Sequence, residues 1–230
     1  MFYNFMTTTK DIFTITTPDQ FKAKALEVFR FQFENNTIYR SFCDLLYINP
    51  SDISDLHEIP FLPIQFFKSH QVLSTTNPIE TTFSSSGTTG QITSKHLVSD
   101  LSVYETSFKL GFKHFYGNVK DYTILALLPN YLEREGSSLV YMVDHLIKDS
   151  NKPQSGFYLN KLRQLKDTLI ALDHAEEKVL LIGVSFALLD LKICTLFTFN
   201  ILLLLETGGI EKTFLKKVIK KKISPTPLKS

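Results

Sequence analysis

The sequence has no tryptophan, only two cysteines and almost no net charge. Cys43 and Cys194 stand far apart, without the close pairing that disulfide scaffolds and zinc or redox sites use, so they read as buried thiols of a reducing, cytoplasmic environment. Twenty-five Lys and Arg against 23 Asp and Glu leave a formal charge of +2, which makes no general case for a nucleic-acid binder. The opening MFYNFMTTTK places its only basic residue after the apolar ones, so it does not read as a secretory signal.

One long apolar run is present, Val179 to Leu205, and it raises a membrane-anchored reading. Asp190 and Lys192 interrupt it, however, and a parallel sheet buried on both faces produces similar apolar strands. No stable membrane span is expected. With 43% hydrophobic residues and twenty Phe, the chain can fill a substantial core.

Thr17-Pro18-Asp19-Gln20 combines an N-cap, proline at the first helical position and a capping-box glutamine. Apolar residues at helical spacing then predict a helix from about Pro18 to Glu34, and a shorter helical pattern covers Thr37 to Leu46. Ile59 to Leu73, IPFLPIQFFKSHQVL, sets two prolines among large apolar residues, which predicts an extended, packed segment that lines something. From Thr81 onward strands and helices alternate: a strand at Thr81 to Phe83, a helix from Ser99 to about Phe115, a strand at Tyr122 to Leu128 and a helix from Ser137 to Ile147. Further strands are expected at Lys178 to Val184 and Asn200 to Glu206. The expected fold is α/β, a mostly parallel sheet with flanking helices behind a helical N-terminal region. The segments are 1–58, helical; 59–210, an incomplete α/β core; and 211–230, a basic divergent tail. The seven lysines of that tail suit an amphipathic helix on an anionic membrane, or a solvated terminus.

The most informative run is Ser84-Ser85-Ser86-Gly87-Thr88-Thr89-Gly90, expected between a strand and a helix. Its glycines permit close approach to an anion, and successive N–H groups with nearby hydroxyls can hold a polyphosphate. No Gly-Lys-Ser/Thr ends it, so it is not a Walker loop. The plainer alternative is a Ser/Thr/Gly surface linker.

SSGTTG, Ser85 to Gly90, resembles the phosphate-binding loop of the adenylate-forming superfamily. Together with IPFLPIQFFKSHQVL, ILALLPNYLEREGSSLVYMVDHLI and SGFYL it resembles the LuxE-type acyl-protein synthetases, the long-chain-fatty-acid luciferin-component ligases, from about Ile59 to Leu189 and again at Leu205 to Gly209. The resemblance implies a partial adenylate-forming large domain. It also implies ATP-dependent activation of a fatty or other carboxylic acid to an acyl-adenylate, then acyl transfer to a thiol on a protein or small carrier. By the same resemblance Ser85, Ser86, Gly87, Thr88, Thr89 and Gly90 would cradle the phosphates, with Mg2+ sharing the load. Glu206-Thr207-Gly208-Gly209 resembles the turn where backbone approaches the nucleotide, although a strand-ending Gly-Gly turn needs no ligand.

Lys95 and His96 could add charge or shape an acyl pocket; a solvated lysine and a helix-start histidine are equally open. Tyr131, Arg134 and Ser137, after a central strand, are placed to line a substrate crevice. For Arg134 a surface ion pair with Glu133 or Glu135 is the favoured alternative. No catalytic residue and no protein metal ligand is assigned. The later aromatic-Gly-x-Thr-Glu motif and the acyl-carrying cysteine of the bioluminescence relatives have no counterpart here, so the chain is expected to be an inactive fragment as written. Two other readings stay open, a non-catalytic phosphate-binding remnant and a membrane-anchored protein.

Overall fold

The computed structural model describes residues 10–85, 92–129, 136–184, 188 and 202–206. The chain divides into two compact units, 1–110 with 136–138, and 111–135 with 139–230. This partition crosses the 59–210 segment read from the sequence.

In the first unit, α1 (Pro18–Asn35) starts as its sequence dictates. The Thr17 side chain accepts from the Gln20 N–H, and the Gln20 side chain accepts from the Thr17 N–H, closing the capping box. Asn36 then serves two helices. Its N–H bonds back to the Gln32 carbonyl, and its side chain accepts from the Tyr39 N–H to cap α2 (Thr37–Leu45). At 3% exposure its remaining amide protons need partners, and Ser74 Oγ at 3.1 Å and Gln32 Oε1 at 3.3 Å supply them. Phe29, Tyr39, Cys43 and Ile53 form the buried centre, with Phe29 and Tyr39 edge to face at 6.2 Å.

Burial pushes the Cys43 thiol above its ordinary range, and the Tyr39 hydroxyl, buried beside it, is raised as well while donating to the Pro60 carbonyl at 2.6 Å. Nucleophilicity follows the thiolate, so Cys43 in the native protein should resist iodoacetamide at pH 8 and react only in denaturant. Mass mapping of its peptide reads this directly; rapid native labelling would show that the packing around Cys43 opens.

Glu58 accepts from the Ser54 and Asp55 N–H groups, and Asp55 takes Lys22 Nζ at 2.6 Å. Those bonds lower the carboxyls of Glu58 and Asp55 beneath their usual 4.5 and 3.8, and the Asp55 bond raises Lys22 above 10.5. A depressed carboxyl stabilises the fold above its unfolded value and loses that contribution as pH falls through the folded one. Glu58→Gln should therefore melt at a temperature closer to that of the parent at pH 3 than at pH 7. Equal differences at the two pH values would contradict this.

The strand β1 (Thr81–Ser84) pairs antiparallel with β2 (Lys95–Val98), Phe83 opposite His96 and Ser84 opposite Lys95. This corrects the expected strand–loop–helix order: the Ser/Gly/Thr run joins two strands of a hairpin. The helix α4 (Leu101–Tyr116) begins two residues later than the sequence pattern suggested. Within Ile59 to Leu73 a one-turn helix, α3 (Phe66–Ser69), forms, and Phe61 and Ile64 are 81% and 71% exposed where packing was expected.

The second unit holds a four-stranded parallel sheet in the order β4-β3-β5-β6. Its strands are β3 (Thr123–Leu127), β4 (Gly156–Phe157), β5 (Val179–Gly183) and β6 (Leu202–Glu206), and α5 (Ser138–Ser150) and α6 (Leu162–His174) are the connecting helices. Every residue of β3 and β5 is buried, which explains why Thr123 is the one polar residue in the two strands. Leu165, Leu169 and Leu172 of α6 pack on Leu125, Leu127 and Leu181. The apolar run from Val179 thus opens as strand β5 and ends in β6, and no described helix is long and apolar enough to cross a membrane. The fold is α/β with a small parallel sheet and a separate antiparallel hairpin.

Candidate functional site

The hairpin is the first element with a chemical claim. Ser85 donates its N–H to the Ser94 carbonyl at 3.0 Å, and the Ser94 N–H donates to Ser85 Oγ at 3.0 Å, so the stretch between them leaves and returns through one closed base. A third strut comes from Gly136, whose carbonyl accepts from the Ser84 N–H at 2.8 Å. Gly136 has φ +79°, and a Cβ there would meet the Thr82 carbonyl oxygen at 3.4 Å. The positive φ favours glycine, whereas 3.4 Å is an ordinary contact distance. Of the residues expected to cradle phosphate, Ser85 stands at this base, exposed; Ser86, Gly87, Thr88, Thr89 and Gly90 lie outside the described residues.

Lys95 and His96 belong to β2, not to a helix start, and both are exposed. The His96 ring stacks on Phe67 at 6.0 Å with 18° between planes. Phe83, on the partner strand, packs on Tyr104 at 5.2 Å, and the Tyr104 hydroxyl donates to the Ser138 carbonyl at 2.9 Å.

In the second unit β3 is an interior strand: the chain leaves it toward β4 on one side, and leaves β5 toward β6 on the other. This reversal is the topological switch point at which open α/β sheets bind ligands, beyond the strand carboxyl ends. The segment after β3 carries Tyr131 and Arg134, outside the described residues; Ser137, partly buried and immediately before α5, belongs to the first unit. Glu206 closes β6 opposite Gly183, whereas Thr207, Gly208 and Gly209 lie outside the described residues, as do Cys194 and the basic tail.

A feature that sequence reading did not supply is a cavity of about 1040 Å³ in the first unit. One face of α1, the 59–62 segment, residues 72–77 and β2 with His96 and Leu97 form its walls. The only sequence signal for it was the proline-spaced apolar run from Ile59, which does line it through Ile59, Pro60, Phe61 and Leu62. In the second unit a cavity of about 780 Å³ is lined by α6 and its flanks, with Lys161, Arg163, Asp167 and Glu177 among its residues. Among the described residues no group of three or more His, Cys, Asp or Glu side chains is placed to hold a metal ion.

No curated protein and no solved structure matches the chain. The sequence of residues 15–124 does match a protein family, described as acyl-protein synthetase, LuxE. That match begins earlier than the resemblance read from Ile59 and ends at 124, leaving the part read from there to Leu189 and at Leu205 to Gly209 untested; it takes in α1 and α2 and spans the hairpin and the large cavity. Residues 15–124, a little under half of the chain, are thus similar to the LuxE acyl-protein synthetase family.

Proposed function

We propose that the chain takes part in ATP-dependent activation of a fatty or other carboxylic acid and in transfer of the acyl group to a thiol of a protein or small carrier. The observation that carries this reading is the family match across the hairpin that bears Ser85 to Gly90. A carboxylate oxygen attacks the α-phosphorus of ATP, the bond to the bridging oxygen breaks, and pyrophosphate leaves with the electron pair. The acceptor thiolate then attacks the acyl carbonyl and AMP departs, while the thiol proton passes to solvent. The loop's share is electrostatic: backbone N–H and hydroxyl donors stabilise charge that accumulates on the leaving pyrophosphate. Magnesium enters this proposal as the ion that ATP carries, and no step is derived through it.

A second reading is nucleotide-phosphate binding without turnover. Acid-dependent exchange of labelled pyrophosphate into ATP, over a panel of fatty and aryl acids, separates the two. Exchange supports the ligase, calorimetric ATP binding without exchange supports the binding protein, and absence of both overturns each.

A further inference from the structure

We propose that Tyr104 is a positioning residue for the hairpin, clamping residues 136–138 against the strand that leads into the Ser85 to Gly90 run and thereby setting the affinity of that run for ATP. This rests on the nucleotide-phosphate reading of the run and adds to it a residue that no motif marks. Tyr104 lies on α4, outside the hairpin, and its side chain makes two kinds of attachment. The ring packs on Phe83 of β1 at 5.2 Å and edge to face on Phe108 at 5.3 Å, and the hydroxyl donates to the Ser138 carbonyl at 2.9 Å. Burial raises that hydroxyl above its ordinary value, so at neutral pH it is a protonated donor.

These attachments bracket the strut at the hairpin base, in which Ser84 donates its N–H to the Gly136 carbonyl at 2.8 Å. Phe83 is the residue before Ser84, and Ser138 stands two residues beyond Gly136, so Tyr104 holds both sides of that bond from a third element. All of these residues belong to the first unit. The Ser84 N–H points away from β2, because the next amide, that of Ser85, donates to the Ser94 carbonyl, and successive amides of a strand face opposite edges. Gly136, at φ +79°, has the backbone freedom of glycine, so its own dihedral preferences do not place its carbonyl. The tether two residues on contributes that constraint. Ser138 is the first residue of α5, and carbonyls at that end of a helix find partners within it, so the Tyr104 bond is not needed to satisfy a stranded acceptor. Its effect is on position.

The test compares Tyr104→Phe with Tyr122→Phe in the full chain. Phenylalanine keeps the ring contacts and removes only the hydroxyl, and Tyr122 supplies a matched control, its hydroxyl donating to the Tyr116 carbonyl at 2.9 Å in the second unit. Loss of one such hydrogen bond should lower the melting temperature by about 2–4 °C in either variant. Only Tyr104→Phe should speed deuterium exchange at the Ser84 amide, by at least about fivefold, and weaken ATP binding in calorimetry about three- to tenfold. A merely structural Tyr104 would move the melting temperature alone. Unchanged exchange at Ser84, or equal ATP affinity in Tyr104→Phe and a parent that binds ATP, overturns the proposal. The same losses in Tyr122→Phe overturn it too, since they would follow from stability and not from position. Should the parent bind no ATP, the activation reading fails by itself, and exchange at Ser84 then decides whether the clamp stands.

Discussion

Gly183→Val should destabilise the second unit by more than the roughly 1–3 kcal/mol typical of an overpacked core. Gly183 ends β5, a strand buried throughout, and is paired with Leu127 of β3 on one side and Glu206 of β6 on the other. A Cβ added there would stand 2.9 Å from Leu127 Cβ and 3.0 Å from Leu188 Cγ and Cδ2. The first atom is anchored directly to the backbone of the adjacent strand and cannot swing away. Relief thus requires the strands to part, and their register hydrogen bonds oppose that. Even Gly183→Ala meets this contact, and valine adds two further methyl groups to a close-packed interior. Urea unfolding, followed by far-ultraviolet circular dichroism, should show the midpoint falling from parent to alanine to valine. An unchanged midpoint for valine would mean that the close approach at Gly183 is not maintained in solution.

Gly87→Val should remove nucleotide binding while leaving folding nearly intact. The activation reading needs backbone N–H groups close to phosphate oxygens and, at a glycine of that run, the left-handed backbone that an L-residue adopts at a cost of about 1–2 kcal/mol. A β-branched side chain also obstructs the approach itself. Together these predict at least about a tenfold loss of ATP affinity by calorimetry. The melting temperature should hardly move, since the hairpin base is formed by Ser85, Ser94 and Gly136 and not by Gly87. Equal ATP affinity in the variant and the parent would remove the loop from the site.

The parts legible in the sequence were those in which one physical signal sufficed. Thr17 to Gln20 announces α1 because capping chemistry is local, and the run from Lys178 to Val184 announces β5 because a strand buried on both faces needs no polar positions. β2 escaped because four residues, Lys95 to Val98, are too few for an alternating pattern, and what makes them a strand is pairing with β1. The two-residue β4 has no signature at all. Leu165, Leu169 and Leu172 did mark a helical face that went unread. The large cavity was not legible for a different reason: it is a space bounded by α1, a proline-rich segment and β2, and no single stretch encodes it. As to the site, the loop composition was visible, but its setting in a hairpin depends on a hydrogen-bonded partner strand.

The bonds joining Ser85 to Ser94, and Ser84 to Gly136, have a thermodynamic meaning for whatever the hairpin holds. Bringing the ends of a loop together carries an entropy penalty that grows only slowly with its length, about 0.6 kcal/mol per doubling. Here that penalty falls on folding, before a ligand arrives. Loosening the base would transfer end closure to the binding step, so a change at Gly136 would be felt as weaker affinity in a protein whose sheet and helices are otherwise unaltered.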